Sequence, residues 1–159
     1  MRGHPHLLVV SAVVAHAWTA AAWAQSADPA RWNKIFTDPK SNFIRNPNAF
    51  LVETVKPLNP GRALDVGMGQ GRNALWLAQQ GWEVTGADIS EEGIRLAREQ
   101  AIKIGVRLNT VLKSADEFDY GRDQWHLIIG IFMHDIYARN AAKIVEGLKP
   151  PDQRTATRL

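Results

Sequence analysis

Several residue types and patterns are scarce or missing in this chain of 159 residues, and each shortage narrows what it can be. There is no cysteine, which excludes a disulfide framework and a thiolate metal site. The formal net charge is only +3, and basic residues alternate with acids, as from Glu91 to Glu99. Such alternation is typical of a solvated surface and disfavours a nucleic-acid interface. With 45% hydrophobic and 22% charged residues, the chain has the composition of one globular domain.

The N-terminal segment is shorter and less apolar than a membrane-spanning helix. Its apolar run, Leu7 to Ala22, is rich in alanine and contains His16, whereas a spanning helix needs about 20 strongly apolar residues. The run follows Arg2 and ends in Ala22-Trp23-Ala24, which is the order found in secretory signal peptides. We therefore expect residues 1–24 to be a signal peptide that exports the chain to the periplasm or beyond, without stable membrane insertion. The alternatives are an uncleaved anchor and a cytoplasmic protein whose start codon is assigned too early.

Prolines divide the next segment, residues 25–60, into short helical stretches. Asp28 before Pro29 is an N-cap pattern that predicts a helix to about Phe36. Asn46-Pro47 predicts a second helix, to about Lys56. We expect this segment to form a helical cover on the domain that follows.

Residues 61–150 alternate between strand and helix patterns. The predicted strands are residues 63–67, 83–88, 107–112 and 125–132, and the predicted helices are residues 73–80, 91–104 and 136–148. The run from Leu127 to Phe132 is apolar on both faces, as expected of a buried parallel strand. Strands that alternate with helices of this length are joined by crossovers and form a parallel sheet. The predicted fold class is α/β, of the Rossmann-like type.

A glycine loop follows the first predicted strand, where an open α/β sheet binds its ligand. The loop reads Asp65-Val66-Gly67-Met68-Gly69-Gln70-Gly71, with the spacing G-x-G-x-G rather than the G-x-G-x-x-G of dinucleotide sites. The carboxylate of Asp65 suits a cationic ligand better than a diphosphate. Asp88, at the end of the second strand, is placed to accept both hydroxyls of a ribose, although a turn residue would also fit there. Together these features favour a cationic nucleoside.

The stretch Ala63 to Ser90 resembles motif I and the second-strand acid of class I S-adenosylmethionine-dependent methyltransferases. It reads ALDVGMGQGRNALWLAQQGWEVTGADIS, and its Gly-Arg-Asn is similar to the tellurite-resistance methyltransferase group. The resemblance continues through ISEEGIRLAREQA and SADEFDYG to GLKP and covers roughly ninety residues.

The resemblance implies S-adenosyl-L-methionine as the cofactor and assigns roles to particular residues. Asp65, Gly67 and Gly69 would hold the methionine end, and Gly71 would shape the turn into the helix. Asp88 would bind the ribose and Ile89 would pack on adenine, while Asp116, with Ala115 beside it, would face the adenine amino group. The family places acceptor-facing residues at Ile131 to His134. His134 with Asp135 is a candidate general base, the alternative being an ordinary loop residue, and no metal is required.

The family pattern stops after Pro150. The remaining residues, 151–159, contain no strand pattern, and we interpret them as a tail foreign to the family, from a reading-frame change or a truncated gene end. A natural variant with a short tail is the alternative. Only the first four strands are then expected, and the Leu127 to Phe132 strand would form an apolar sheet edge that favours self-association.

The leading functional hypothesis is a methyltransferase that acts on a small-molecule acceptor. The alternative is a non-catalytic module that binds S-adenosylmethionine or S-adenosylhomocysteine, or an inactive truncated remnant. A nicotinamide-dependent oxidoreductase is disfavoured by the glycine spacing. The sequence does not name the acceptor.

Overall fold

The computed structural model describes residues 28–149, and a four-stranded parallel sheet forms their centre. The strand order is β3-β2-β1-β4. The strands are β1 (Arg62–Val66), β2 (Glu83–Asp88), β3 (Asn109–Leu112) and β4 (Leu127–Ile129). The predicted α/β class is confirmed, and the first crossover places the glycine loop at the carboxyl end of β1.

Five helices connect or cover the strands within the described part of the chain: α1 (Pro29–Thr37), α2 (Ala49–Val55), α3 (Arg72–Gln79), α4 (Glu91–Ile104) and α5 (His134–Gly147). Side-chain caps fix three of their starts, because Asp28, Asn48 and Ser90 each accept a hydrogen bond from a backbone N–H of the first turn. The Asn-Pro pattern predicted Asn46 as the cap of α2, but the cap is Asn48. The backbone N–H of Asn48 also donates to Oδ1 of Asn73 at 2.9 Å, which fixes the start of α2 against α3.

The core lies on both faces of the sheet, since successive strand residues point to opposite sides. On one face, strand residues such as Ala63 and Ile129 pack with residues of α2, α3 and α4. On the other face, Leu64 and Ile128 pack with Tyr137 and other residues of α5 and of the loop before β4. Both faces of the central strands are thus covered by helices or loops.

The structure shortens two predicted strands and lengthens one helix. Strand β4 spans only Leu127–Ile129, because the chain turns at Phe132, which has a φ of +68°. Trp125 forms a single bridge with Leu148 instead of joining the strand. Strand β3 begins at Asn109 rather than at residue 107, and α5 begins at His134, two residues before its predicted start.

Strand β4 lies at the edge of the described sheet, as predicted, but its apolar side chains are not exposed. Leu127, Ile128 and Ile129 are 2%, 1% and 0% exposed, because helices and loops cover them from both faces. Phe132, by contrast, is 72% exposed. The prediction of an exposed apolar edge is therefore wrong for the strand side chains and holds only for Phe132.

The N-terminal helix α1 lies against the start of α4. Asn33 Oδ1 accepts hydrogen bonds from Ser90 Oγ at 2.7 Å and from the backbone N–H of Glu92 at 3.2 Å. No residue of α1 is fully buried. Among the described residues, none of the helices has the length and apolar content required to cross a membrane. The predicted signal peptide, residues 1–24, and the tail, residues 151–159, lie outside the described residues.

Candidate functional site

The glycine loop between β1 and α3 has a backbone that side chains would strain. Gly67 and Gly69 have φ values of +70° and +56°, a region that glycine adopts without a Cβ penalty. A Cβ at Gly67 would lie 2.6 Å from Sδ of Met133, and one at Gly69 would lie 3.0 Å from the Phe36 ring. The loop therefore contacts Phe36 of α1 and Met133 after β4, and its positive φ angles favour glycine at both positions.

Asp88 joins the end of β2 to this loop. Its Oδ2 accepts a hydrogen bond from the backbone N–H of Gly69 at 2.8 Å, and its Oδ1 accepts one from that of Ser90 at 2.8 Å. Burial raises the pKa of Asp88, and these backbone donors partly offset the effect. A carboxylate has about four acceptor positions, and backbone donors of Gly69, Ser90 and Ile89 occupy three of them. Asp88 can therefore hold the loop in place and still accept a hydrogen bond from a ligand's hydroxyl.

Asp65 is the most unusual group of the site. The residue is 2% exposed, and its Oδ2 atom has no hydrogen-bond partner. Burial, followed by the nearby charge of Asp88, raises the pKa of Asp65 to about 8. The backbone N–H of Ala74 and the charge of Arg72 oppose this shift only in part. A buried carboxyl with an unsatisfied oxygen fits a cationic ligand, which would supply both the missing donor and the missing charge.

Asp116, after β3, is paired with residues of α5. Its carboxylate accepts hydrogen bonds from Arg139 at 3.0 Å and Asn140 at 2.7 Å, both on α5. These bonds lower its pKa, with the largest effect from Arg139. The neighbouring Ala115 is buried in the core on the α5 face, and Ile89, at the end of β2, is half-buried. The roles of Asp116, Ala115 and Ile89 beside adenine stay predictions.

The structure thus brings several predicted site residues together and leaves the roles of the others as predictions. Asp65, Gly67, Gly69 and Asp88 share the carboxyl ends of β1 and β2, and Gly71 turns the chain into α3 with a φ of +80°. His134 is the first residue of α5, but its side chain lies outside the described part, so the general-base role stays untested. Among the side chains that the structure describes, which do not include those of residues 134 and 135, no group of three or more His, Asp or Glu could hold a metal ion.

Sequence reasoning missed the contributions of α1 and α5 to the site. The Phe36 ring packs beside Gly69. Asn33 of α1 accepts a hydrogen bond from Ser90, the cap of α4. The hydroxyl of Tyr137 on α5 is buried without a partner. These residues carry no motif, and contacts between segments this far apart in the chain leave no local sequence pattern.

The parallel sheet, the strained glycine loop and the two buried carboxylates define a Rossmann-like domain of the class I methyltransferase type. The chain belongs to the methyltransferase domain family, whose model matches residues 63–150. S-adenosyl-L-methionine is accordingly its cofactor, and the orphaned Asp65 carboxyl fits the positive charge of that molecule. The family resemblance stated from the sequence is confirmed.

Individual relatives agree with this assignment. A Haemophilus influenzae protein named "Probable S-adenosyl-L-methionine-dependent methyltransferase TehB" is 37% identical over 62 residues, which are 39% of this chain and 22% of that protein. The ubiquinone biosynthesis O-methyltransferase of Agrobacterium fabrum is 30% identical over 124 residues, 74% of this chain and 48% of that protein. The chain therefore spans about half or less of the length of these curated relatives.

A solved structure shares the fold over most of the described residues. It is described as "Conversion of a Disulfide Bond into a Thioacetal Group during Echinomycin Biosynthesis" and is 27% identical in sequence, with a TM-score of 0.59. The match covers 66% of this chain and 47% of that one.

Proposed function

We propose that this protein transfers the methyl group of S-adenosylmethionine to a small-molecule acceptor. The observation that carries the proposal is the buried Asp65 carboxyl with its unsatisfied oxygen, next to a glycine loop that Asp88 holds in place. The interleaved surface charges and the lack of a large net charge support a small acceptor over a nucleic acid. The Agrobacterium relative, named for ubiquinone biosynthesis, also supports a small acceptor.

In this reaction the main task of the side chains is to orient the acceptor. The cofactor supplies a methyl group that its sulfonium already activates, so alignment of the acceptor provides most of the rate gain. Asp65 would balance the cofactor's positive charge and Asp88 would bind its ribose. His134 is the proposed general base that would remove the acceptor's proton.

The acceptor side is proposed to lie at the end of β4. Phe132 is 72% exposed there and has a φ of +68°, a strained conformation for a bulky residue that persists mainly at functional sites. The guanidinium of Arg72, at the start of α3, lies 5.7 Å from the centre of the Phe132 ring. An aromatic ring with a cation beside it suits an acceptor that has an apolar or aromatic body and an oxygen or sulfur that can become anionic.

A product assay tests the proposed activity. S-adenosylhomocysteine formation is measured with panels of small phenols, thiols and amines, and with RNA and protein as rival acceptors. We expect turnover with at least one small acceptor and loss of turnover in Asp88→Ala. Turnover with RNA or protein alone would contradict the small-molecule proposal, and cofactor binding without turnover on any acceptor would favour the non-catalytic module.

Export is a separate proposal, supported only by the sequence pattern of residues 1–24. It is in tension with the cofactor, because S-adenosylmethionine is made in the cytoplasm. N-terminal sequencing of the protein expressed in its native host decides the matter. A mature start at Gln25 supports export, and a start at Met1 contradicts it.

A further inference from the structure

Two buried polar atoms of the described residues lack a hydrogen-bond partner: Oδ2 of Asp65 and the hydroxyl of Tyr137. Native proteins leave few such atoms unsatisfied, because each costs about 1–3 kcal/mol. Oδ2 of Asp65 belongs to the cofactor site. The hydroxyl belongs to Tyr137, a residue that neither the family motif nor the sequence pattern indicated.

The Tyr137 hydroxyl lies at the same edge of the sheet as Asp65. Tyr137 is in the first turn of α5 and is 9% exposed. Its hydroxyl packs directly on Gly130, where any Cβ would overlap it. Gly130 follows Ile129, the residue of β4 that pairs with Asp65 of β1. The two unsatisfied atoms therefore sit at the carboxyl ends of adjacent parallel strands, where this fold class binds its ligand.

The charge of Asp65 acts on the Tyr137 hydroxyl, in agreement with their placement at the same edge of the sheet. Burial raises the pKa of the Tyr137 hydroxyl, and the next contribution comes from the charge of Asp65. The hydroxyl therefore stays neutral at physiological pH and keeps both its donor and its acceptor capacity.

We propose that Tyr137 is a cofactor-binding residue whose hydroxyl, together with the carboxylate of Asp65, receives the ammonium group at the methionine end of S-adenosylmethionine. An ammonium has three N–H donors and no acceptor, so it can satisfy both unpaired oxygens at once. A neutral hydroxyl alone would not select a cation. The hydroxyl of Tyr137 together with the buried carboxylate of Asp65 does. The inference rests on the assignment of Asp65 to the methionine end.

The other tyrosine of the chain provides a matched control. Tyr120 packs in the same core cluster as Tyr137, but its hydroxyl donates to the backbone oxygen of Ala115 at 3.1 Å. The hydroxyl of Tyr120 is therefore satisfied within the fold and has a structural role.

The test compares Tyr137→Phe, Tyr120→Phe and the unaltered full chain by isothermal titration. The probes are S-adenosylhomocysteine, which carries the ammonium, and 5′-methylthioadenosine, which lacks the whole amino-acid end. Thermal unfolding without ligand is measured alongside. We expect Tyr137→Phe to weaken S-adenosylhomocysteine binding about 5- to 20-fold, the effect of one hydrogen bond to a charged group, and to leave 5′-methylthioadenosine binding unchanged. Its unfolding temperature without ligand should be equal to or above that of the unaltered chain, because the lost hydroxyl had no partner.

Tyr120→Phe should behave in the opposite way, with a lower unfolding temperature and an unchanged affinity ratio of the two probes. Equal binding of S-adenosylhomocysteine by Tyr137→Phe and the unaltered chain would overturn the proposal. So would an equal loss of both probes, or a destabilisation like that of Tyr120→Phe. Failure of the unaltered chain to bind either probe would instead overturn the cofactor site itself, so the two failures are distinguishable.

Discussion

Asp65 shows at the scale of one residue how binding function opposes stability. Its carboxyl is buried and its pKa is raised to about 8, so the free folded protein holds a proton there that the unfolded chain releases above about pH 4. Because the folded state binds more protons over this interval, its stability falls as the pH rises from about 4 to about 8. Above that interval the unfavourable contribution of Asp65 is constant.

Asp65→Asn should therefore stabilise the free protein while impairing its function. At about pH 8 we expect the free energy of unfolding to rise by roughly 1–3 kcal/mol, and the gain to vanish near pH 4. Denaturant unfolding at the two pH values measures this difference. If the free energy of unfolding of the variant at the higher pH is equal to or lower than that of the unaltered protein, burial of the Asp65 carboxyl does not destabilise the fold.

Ligand affinity should change with pH for the same reason. The ammonium group of the ligand's amino-acid end requires the ionised form of Asp65, so binding must expel the Asp65 proton below about pH 8. We expect the dissociation constant of S-adenosylhomocysteine to rise as the pH falls from about 8 to about 6, by up to tenfold per pH unit. Titrations in buffers of different ionisation enthalpy should also show proton release. Affinity that is independent of pH in this interval, or equally dependent in Asp65→Asn, would contradict the account.

At the scale of elements, α1 is held to the domain mainly by polar and aromatic contacts. Asn33 bridges Ser90 and the backbone of Glu92, and Phe36 lies over Gly69 and stacks on Phe43 at 5.0 Å between ring centres. Since no residue of this helix is fully buried, the Asn33 bridge should contribute much of its attachment. The helix thereby lies against the glycine loop.

Asn33→Ala should loosen α1 without unfolding the sheet. We expect faster hydrogen exchange in residues 29–37 and about 1 kcal/mol less stability, the size of a lost side-chain hydrogen bond. Lys34→Ala, on the exposed side of the same helix, is the matched control and should leave exchange unchanged. Unaltered protection of α1 in Asn33→Ala would show that the aromatic contacts alone hold the helix.

The sequence predicted the type and order of the elements better than their ends. Helix α4 was predicted correctly because its cap Ser90, its apolar spacing and the closing Gly105 all act locally. Strand β4 was predicted too long because its end depends on Phe132 and Trp125, whose backbone is set by contacts with distant segments. The periodicity of an apolar run cannot report where such contacts interrupt it.

The same distinction applies to the site across the whole molecule. Asp65, the glycines and Asp88 could be predicted because a strand end and the loop after it have a recognisable local pattern. The bonds of Asp116 to Arg139 and Asn140 could not, because they join residues more than twenty positions apart. Tyr137 was missed for the same reason.

The outer edge of β4 bears on the assembly of the molecule. Within residues 28–149, β4 pairs with β1 on one side, and on the other side the structure has only the isolated bridge between Trp125, just before the strand, and Leu148. Unpaired strand edges favour association. We predict a concentration-dependent dimer in sedimentation velocity experiments, which charged substitution of the exposed Phe132 should weaken. A monomer at all concentrations would contradict self-association.

The central claim, that the glycine loop and its two carboxylates bind S-adenosylmethionine, is tested most directly by titration of the full chain with S-adenosylhomocysteine. We predict binding in the unaltered chain, an affinity at least about tenfold lower in Asp88→Asn because a charged hydrogen bond to the ribose is lost, and no displacement by NAD. Absence of binding, equal affinity of the variant, or displacement by NAD would contradict the account.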